Sequence, residues 1–542
     1  MARTLRRPFA VLAAFACARD VQGESPLTWE EFSPSDNWMQ ASPVDVGVPA
    51  PTNKGWYSTP LDHFGNDGLH AVAFKLKVLR YSKFKRCGGP IFVYSGNEGP
   101  IEGFYENTGL PFDWAEEFGA DVVFVEHRYY GASQPFGNST FNGTVSNLKF
   151  LRVEQTLADY ALFMRDYNQP CPSTHLKSKV VVFGGSYGGI LAALLRMKYP
   201  TIFHMAMAAS APIPEAVAMQ VQPSSFYQVI TDDARAADVR CPVAVQKAFA
   251  RLYELFHSGK ESDLDFVQQT FGLCSPLQAE EWSHFMQYAR NAWTEMAMCD
   301  YPYPSSFLAP LPAWPIKAAC AAVLTGSEAD SYVSGFAKAV AMPYAAPARS
   351  RSNRRNSVES SSSCFDIYKL FIACADQTGC GTGSDATAWD YQMCADMNII
   401  VASNNKTDMF PDLVWDMGSL QAYCAKKYQV QPRPRDMQGR FGILDYLPPS
   451  DSTLDRDIVD SAYSHIIFSN GLLDPWHPGG YLEDLGQTVV ALKIPLGAHH
   501  LDLRAKNQDD PQCVLDARAK EKELMQKWLH LSPMVASQEI VV

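Results

Sequence analysis

Val180-Val181-Val182-Phe183-Gly184-Gly185-Ser186-Tyr187-Gly188-Gly189-Ile190-Leu191 reads as a strand that ends in a sharp turn and opens a helix, with a serine at the turn. The apolar, β-branched run supplies a strand buried on both faces, and apolar residues then recur with helical spacing toward Tyr199-Pro200. Gly184-Gly185-Ser186-Tyr187-Gly188 fits the G-x-S-x-G nucleophile elbow. Side chains in place of its glycines would collide where strand and helix approach, and the turn drives the serine into strained backbone space. The helix N-terminus behind Ser186 offers backbone N–H groups to a developing oxyanion. A five-residue glycine-serine pattern also occurs in ordinary turns; the strand before it and the helix after it assign this one to catalysis.

Working outward, strand patterns occupy residues 70–81, where Val72, Phe74, Leu76 and Val78 alternate with polar or small residues, and residues 90–94, 122–125 and 205–210. A helical pattern over 153–167 leads into the elbow strand. Strands alternating with helices indicate a mostly parallel sheet covered on both faces. After Pro214 the chain turns helical, with clustered cysteines and Pro-rich turns, and strand character returns only at 466–469 and 488–494. Two βα units need about 60 to 80 residues, so roughly 200 residues of this stretch are an insertion, expected as a helical cap over the carboxyl ends of the strands. An amphipathic helix over 511–529 closes the sheet.

The expected organisation is a leader at 1–23, an N-terminal arm lying over the surface at 24–55, a catalytic α/β domain built from 56–214 and 461–532, and a cap at 215–460. Within the cap, the basic, serine-rich stretch 349–363 should be disordered. The leader carries Arg3, Arg6 and Arg7 before a short apolar stretch, the pattern of a secretory signal with cleavage after Ala18 or Gly23. Secretion also fits 13 cysteines and the N-x-S/T glycosylation sequons at Asn138, Asn142 and Asn405. Cys241, Cys274, Cys320, Cys364, Cys374, Cys380, Cys394 and Cys424 imply a disulfide framework of open connectivity in the cap, and their spacing is not that of a zinc site. A net charge of −12 among 542 residues leaves no basic footprint for nucleic acid, and no apolar run is long enough for a membrane span. No cofactor and no metal are called for.

Chain order locates partners for the serine. In the α/β-hydrolase arrangement the triad runs Ser, Asp or Glu, then His, each on a loop after a strand. The strand ending at Ser469 leads into Asn470-Gly471-Leu472-Leu473-Asp474-Pro475-Trp476, and the next into Gly497-Ala498-His499-His500. Asp474 and His499 are the natural partners, with His500 an interchangeable neighbour of His499. His127 precedes the serine and is expected to hold loop structure. The backbone N–H of Tyr187 should supply one oxyanion donor and the turn at Gly96-Asn97 the other.

These residues carry a resemblance over about 55–530. The elbow, Glu126-His-Arg-Tyr-Tyr-Gly, Gly96-Asn-Glu-Gly, Leu473-Asp474-Pro-Trp and Gly497-Ala-His499-His-Leu-Asp-Leu-Arg504 resemble the proline-specific serine peptidase family. The resemblance implies the α/β-hydrolase fold, a triad of Ser186, Asp474 and His499 rather than His500, and a possible homodimer. In the cap, Cys374-Ala-Asp376-Gln-Thr-Gly-Cys380, Ala388-Trp-Asp-Tyr-Gln392 and residues 403–412 resemble the dipeptidyl peptidase II branch more than the Pro-X carboxypeptidase branch. That branch implies an amine-binding aspartate at Asp376, for which Glu98 is the alternative, with Trp476 and Ile190 as further substrate contacts. Ile190 departs from the family's methionine in the proline pocket, and Ala395-Asp396 from its Thr-Glu.

The expected activity is therefore a secreted or lysosomal serine exopeptidase releasing N-terminal Xaa-Pro or Xaa-Ala dipeptides from peptides with a free N-terminus, through an acyl-enzyme. The alternatives are a Pro-X carboxypeptidase, which a cationic side chain placed for a C-terminal carboxylate would favour, an esterase or lipase, and a non-catalytic binding protein on the same fold.

Overall fold

The strands of the computed structural model are β1 (Leu27–Glu31), β2 (Asn53–Pro60), β3 (Ala73–Tyr81), β4 (Ile91–Ser95), β5 (Asp121–Val125), β6 (Val180–Gly185), β7 (Met205–Ala209), β8 (Ile466–Gly471) and β9 (Val489–Ile494). They form one sheet in the order β1-β2-β3-β5-β4-β6-β7-β8-β9. The residues described are 25–31, 47–66, 68, 71–142, 145–217, 221–326, 328–345, 364–443 and 459–530. The expected leader and the serine-rich insert 349–363 lie outside them.

From β5 onward every pairing is parallel, while β1, β2, β3 and β5 pair antiparallel. The β-branched run of β6 is buried along its length because both faces are covered. Val180 and Val182 pack into one core layer with helices Val153–Tyr167 and Tyr187–Lys198. Val181 and Phe183 pack into the opposite layer with Leu110–Phe118 and Gln512–Leu529. Fixed in this way, β6, β4, β8 and β9 deliver their following turns to one rim of the sheet, where open α/β sheets place ligands. The α/β-hydrolase expectation holds.

One expectation changes. Part of the surface arm is strand β1, paired with β2, which extends the sheet past β3. Trp29 anchors it edge-on against Tyr167, with the Arg80 guanidinium over the indole. Five residues flanked by Pro- and Ser-rich chain are too short for alternation to stand out.

Between β7 and β8 the described chain is helical, including Ser225–Ala237, Cys241–Phe256, Trp282–Met298 and Ala329–Tyr344. Eight of its nine cysteines pair among themselves as Cys241–Cys320, Cys274–Cys364, Cys374–Cys380 and Cys394–Cys424, and Cys299 is free and buried; Cys87–Cys171 ties the sheet region. Asp396 joins the two regions, accepting from Arg152 Nε at 2.8 Å and from the Val153 N–H at 2.9 Å, where that helix begins. Asn138, Asn142 and Asn405 are exposed.

Candidate active site

Ser186 has φ 58° and ψ −129°, a backbone state costing about 1–3 kcal/mol that persists only when its surroundings over-determine it. The surroundings are visible. The Ser186 N–H donates to the Ala209 carbonyl at 2.9 Å. A Cβ on Gly184 would lie 2.0 Å from the Gly188 carbonyl oxygen, and one on Gly188 would lie 2.9 Å from that of Ser95. Strand, turn and helix are in backbone contact, which is why glycine occupies these positions.

Asp474, fully buried after β8, accepts from His499 Nδ1 at 2.8 Å through Oδ2 and from the Trp476 N–H at 3.1 Å through Oδ1. That contact places the imidazole proton on Nδ1 and leaves Nε2 as an acceptor. The His499 backbone is clamped by the cap: its N–H donates to the Met298 carbonyl at 3.1 Å, and its carbonyl accepts from Tyr301 Oη at 2.9 Å. Ser186 and His499 line the same cavity. His500 lines that cavity too, but its ring is held by packing. Its N–H donates to Ser210 Oγ, its ring backs onto Gly185 and Phe307, and burial, then His499, hold its pKa well below the usual histidine range.

Of the expected oxyanion donors, the Gly96 N–H is not available, because it donates to the Val125 carbonyl at 3.0 Å and so belongs to the sheet. Tyr187 is the first residue of its helix, so its N–H has no intrahelical acceptor. Asn97 has no backbone acceptor among the described residues. Its buried side chain is held by Tyr94 Oη at 3.2 Å and reaches the Gly185 carbonyl at 3.5 Å.

His127 does hold structure. Nδ1 donates to the Arg128 carbonyl at 2.6 Å, and Nε2 accepts from Tyr187 Oη at 3.0 Å. Gln392 of the cap donates to the same Tyr187 hydroxyl and accepts from Tyr130 Oη at 2.7 Å. Burial holds the His127 pKa down to about 3, so the ring is neutral and the chain of bonds keeps its polarity.

The cavity above Ser186 measures about 370 Å³. Asp376 and Glu98 line it, with Trp389, Trp476, Met298 and Phe307 among its apolar walls. Asp376 Oδ1 accepts from the Thr378 N–H at 2.8 Å and from its hydroxyl at 2.6 Å, and Oδ2 accepts from Trp389 Nε1 at 2.9 Å. Burial nevertheless leaves its pKa above the ordinary aspartate value. The flanking Cys374–Cys380 bridge spans 6 residues against 79 for Cys241–Cys320, so loop-closure entropy makes it the weaker brace of the fold. What it fixes is the Asp376 turn.

Ile190 corrects the expectation made for it: it is buried in the core and does not line the cavity. Asp396 is committed to Arg152 and Val153. Missed among the lining residues were Trp389, quoted in the sequence but given no role, and Met298 and Phe307, which the cap delivers without any local pattern.

The serine carboxypeptidase S28 family model matches residues 59–521. Lysosomal Pro-X carboxypeptidase of Mus musculus is 36% identical over 494 residues, covering 91% of this chain and 92% of that protein. The Homo sapiens protein of the same name is 35% identical over 476 residues, 88% of each chain. Prolyl carboxy peptidase like protein 5 of Caenorhabditis elegans is 33% identical over 486 residues, covering 88% of this chain and 90% of that one.

Proposed function

The chain belongs to the serine carboxypeptidase S28 family, and from that premise we propose that it is a serine exopeptidase releasing N-terminal Xaa-Pro or Xaa-Ala dipeptides. Ser186 Oγ attacks the carbonyl that follows the second residue, His499 Nε2 takes its proton and passes it to the leaving amine, and Asp474 stabilises the imidazolium. The N–H groups of Tyr187 and Asn97 receive the oxyanion. Water, activated by the same histidine, then releases the dipeptide from the acyl-enzyme.

The charge of the cavity carries the reading. Its described lining residues include the carboxyl groups of Asp376 and Glu98 and no lysine or arginine. An ammonium entering this space finds partners, whereas a terminal carboxylate would meet like charge at a high desolvation cost. Asp376 is the anchor in this proposal. With three donors on its two oxygens it retains a lone pair on Oδ2 for a substrate ammonium, and a hydrogen bond between ionised groups contributes about 1.5 to 3 kcal/mol. Trp476 and Trp389 supply apolar walls.

A Pro-X carboxypeptidase is the second reading, favoured by the names of the relatives. Reporter substrates carrying Lys-Pro and Lys-Ala separate the two. Cleavage of the free-amine forms and rejection of the N-acetylated forms are expected; equal turnover of both would remove the dipeptidyl reading. The secretory pathway or lysosome is the proposed setting, consistent with five disulfides among the described residues. No helix of the described residues is long and apolar enough to cross a membrane.

A further inference from the structure

Glu98 has no place in the serine chemistry, yet it stands at the cavity. The residue is half-buried, while its Oε2 atom has no solvent access and no hydrogen-bond partner. The Glu98 N–H and the Asn97 side chain favour the charged form of its carboxyl. Asp376, on the same cavity, accepts three well-aligned hydrogen bonds, all of which stabilise the charged form. Glu98 is disfavoured as an anion by its burial, and the Asp376 charge across the same cavity adds to this. The one with a bare oxygen is the one that holds a proton, since a neutral carboxyl left unpaired costs far less than a charged one.

We infer that Glu98 is the second carboxyl of the ammonium site and exchanges its proton for the substrate. The free enzyme holds a neutral Glu98; a peptide's free N-terminus enters as an ammonium, the carboxyl loses its proton to solvent, and the ammonium rests between two carboxylates. Charge balances, since one cation enters and one proton leaves. This rests on the dipeptidyl reading above and adds to it that binding is proton-linked.

The groups around Glu98 agree with this. Burial is the largest influence raising its pKa, His499 opposes it and Asp376 adds to it. The hydroxyls of Tyr94, Tyr130 and Tyr187 also feel its charge, and burial keeps all three neutral.

Calorimetric titration of the native protein with alanyl-pyrrolidine, an Xaa-Pro mimic with no scissile carbonyl, tests the exchange in buffers of different ionisation enthalpy. About one proton should be released per ligand bound, and affinity should fall about tenfold per pH unit on the acid limb. Glu98→Gln should bind without that release and without the acid limb, while Asp376→Asn binds more weakly and still releases the proton. Fluorophosphonate labelling of Ser186 checks that each variant is folded. Binding without proton release in the native protein, or undiminished release in Glu98→Gln, overturns the inference and leaves the dipeptidyl reading intact. Equal affinity for N-acetyl-alanyl-pyrrolidine overturns both.

Discussion

Ser186→Ala removes one oxygen from a position whose backbone is held by neighbouring main chain, so the variant should fold normally and lose turnover by a factor on the order of 10⁴ or more. Thermal melting and single-turnover assay check the two halves, and a fluorophosphonate that labels another serine of the native protein would reassign the nucleophile. Asp376→Asn should lower kcat/KM for free-amine Xaa-Pro reporters by roughly tenfold or more while Ser186 stays reactive to a small fluorophosphonate. Unchanged preference for free over acetylated substrates in that variant would move the anchor elsewhere. At this scale the residues proposed to react were legible as candidates because each follows a strand end, and chain order singles them out. Gly96 and Ile190 were not. Whether an N–H is spent on the sheet depends on the neighbouring strand, here Val125 of β5. The elbow helix buries residues 187–196 on every side, so periodicity cannot say which of them faces a cavity.

Gly184→Ala tests the elbow as an element. The new Cβ would meet the main-chain carbonyl oxygen of Gly188, and overpacking of this kind costs roughly 1–3 kcal/mol. A lowered melting temperature with weaker fluorophosphonate labelling is expected; a variant as stable and reactive as the native protein would mean that strand and helix separate more easily than their contact implies. The Asp376 turn depends on helix Gly383–Gln392, where Asp390 accepts from the Ala375 N–H at 2.7 Å. The other oxygen of Asp390 takes Tyr423, Tyr428 and Lys427, all on helix Met417–Tyr428. Asp390→Ala should therefore raise KM for free-amine substrates by up to about tenfold, with a smaller effect on kcat. An equal fall of kcat for acetyl esters that lack the amine would point to general unfolding instead. Neither Asp390 nor the exact path of the cap was legible, since these contacts join residues distant in sequence. The elbow strand, the helix before it and the C-terminal helix were, because each spans enough residues for its period to show.

Over the whole molecule, burial raises Glu126 and Glu295 to about 7, Asp300 to about 7, Glu215 to about 8 and Asp233 to about 9. An acid whose folded pKa lies above its unfolded value binds more protons in the folded state, so its contribution is full below about pH 4 and declines as pH rises through the folded values. Asp159 acts oppositely: although buried, it is held below the ordinary value by Arg128 and His63, and its contribution is lost in acid. The buried histidines His127 and His204, held down to about 3 and about 4, and His500, held well below the ordinary value, lose their contribution as pH falls through the unfolded histidine value, so the sum predicts a melting temperature highest near neutral pH and falling by several degrees toward pH 9; a thermal scan that rises from pH 7 to pH 9 would contradict it. Such a sum over buried groups is invisible in a sequence whose net charge is merely acidic. The fold class was legible there, because a motif and the order of strand ends constrain topology even with the cap inserted. Which end of a peptide the cavity accepts is the claim that most needs a direct answer. A peptide with Lys-Pro at its N-terminus and Pro-Phe at its C-terminus, incubated with the purified protein and followed by mass spectrometry, offers both ends at once. Release of the dipeptide Lys-Pro, abolished in Ser186→Ala, is the predicted result; release of free phenylalanine with the N-terminus intact would contradict it.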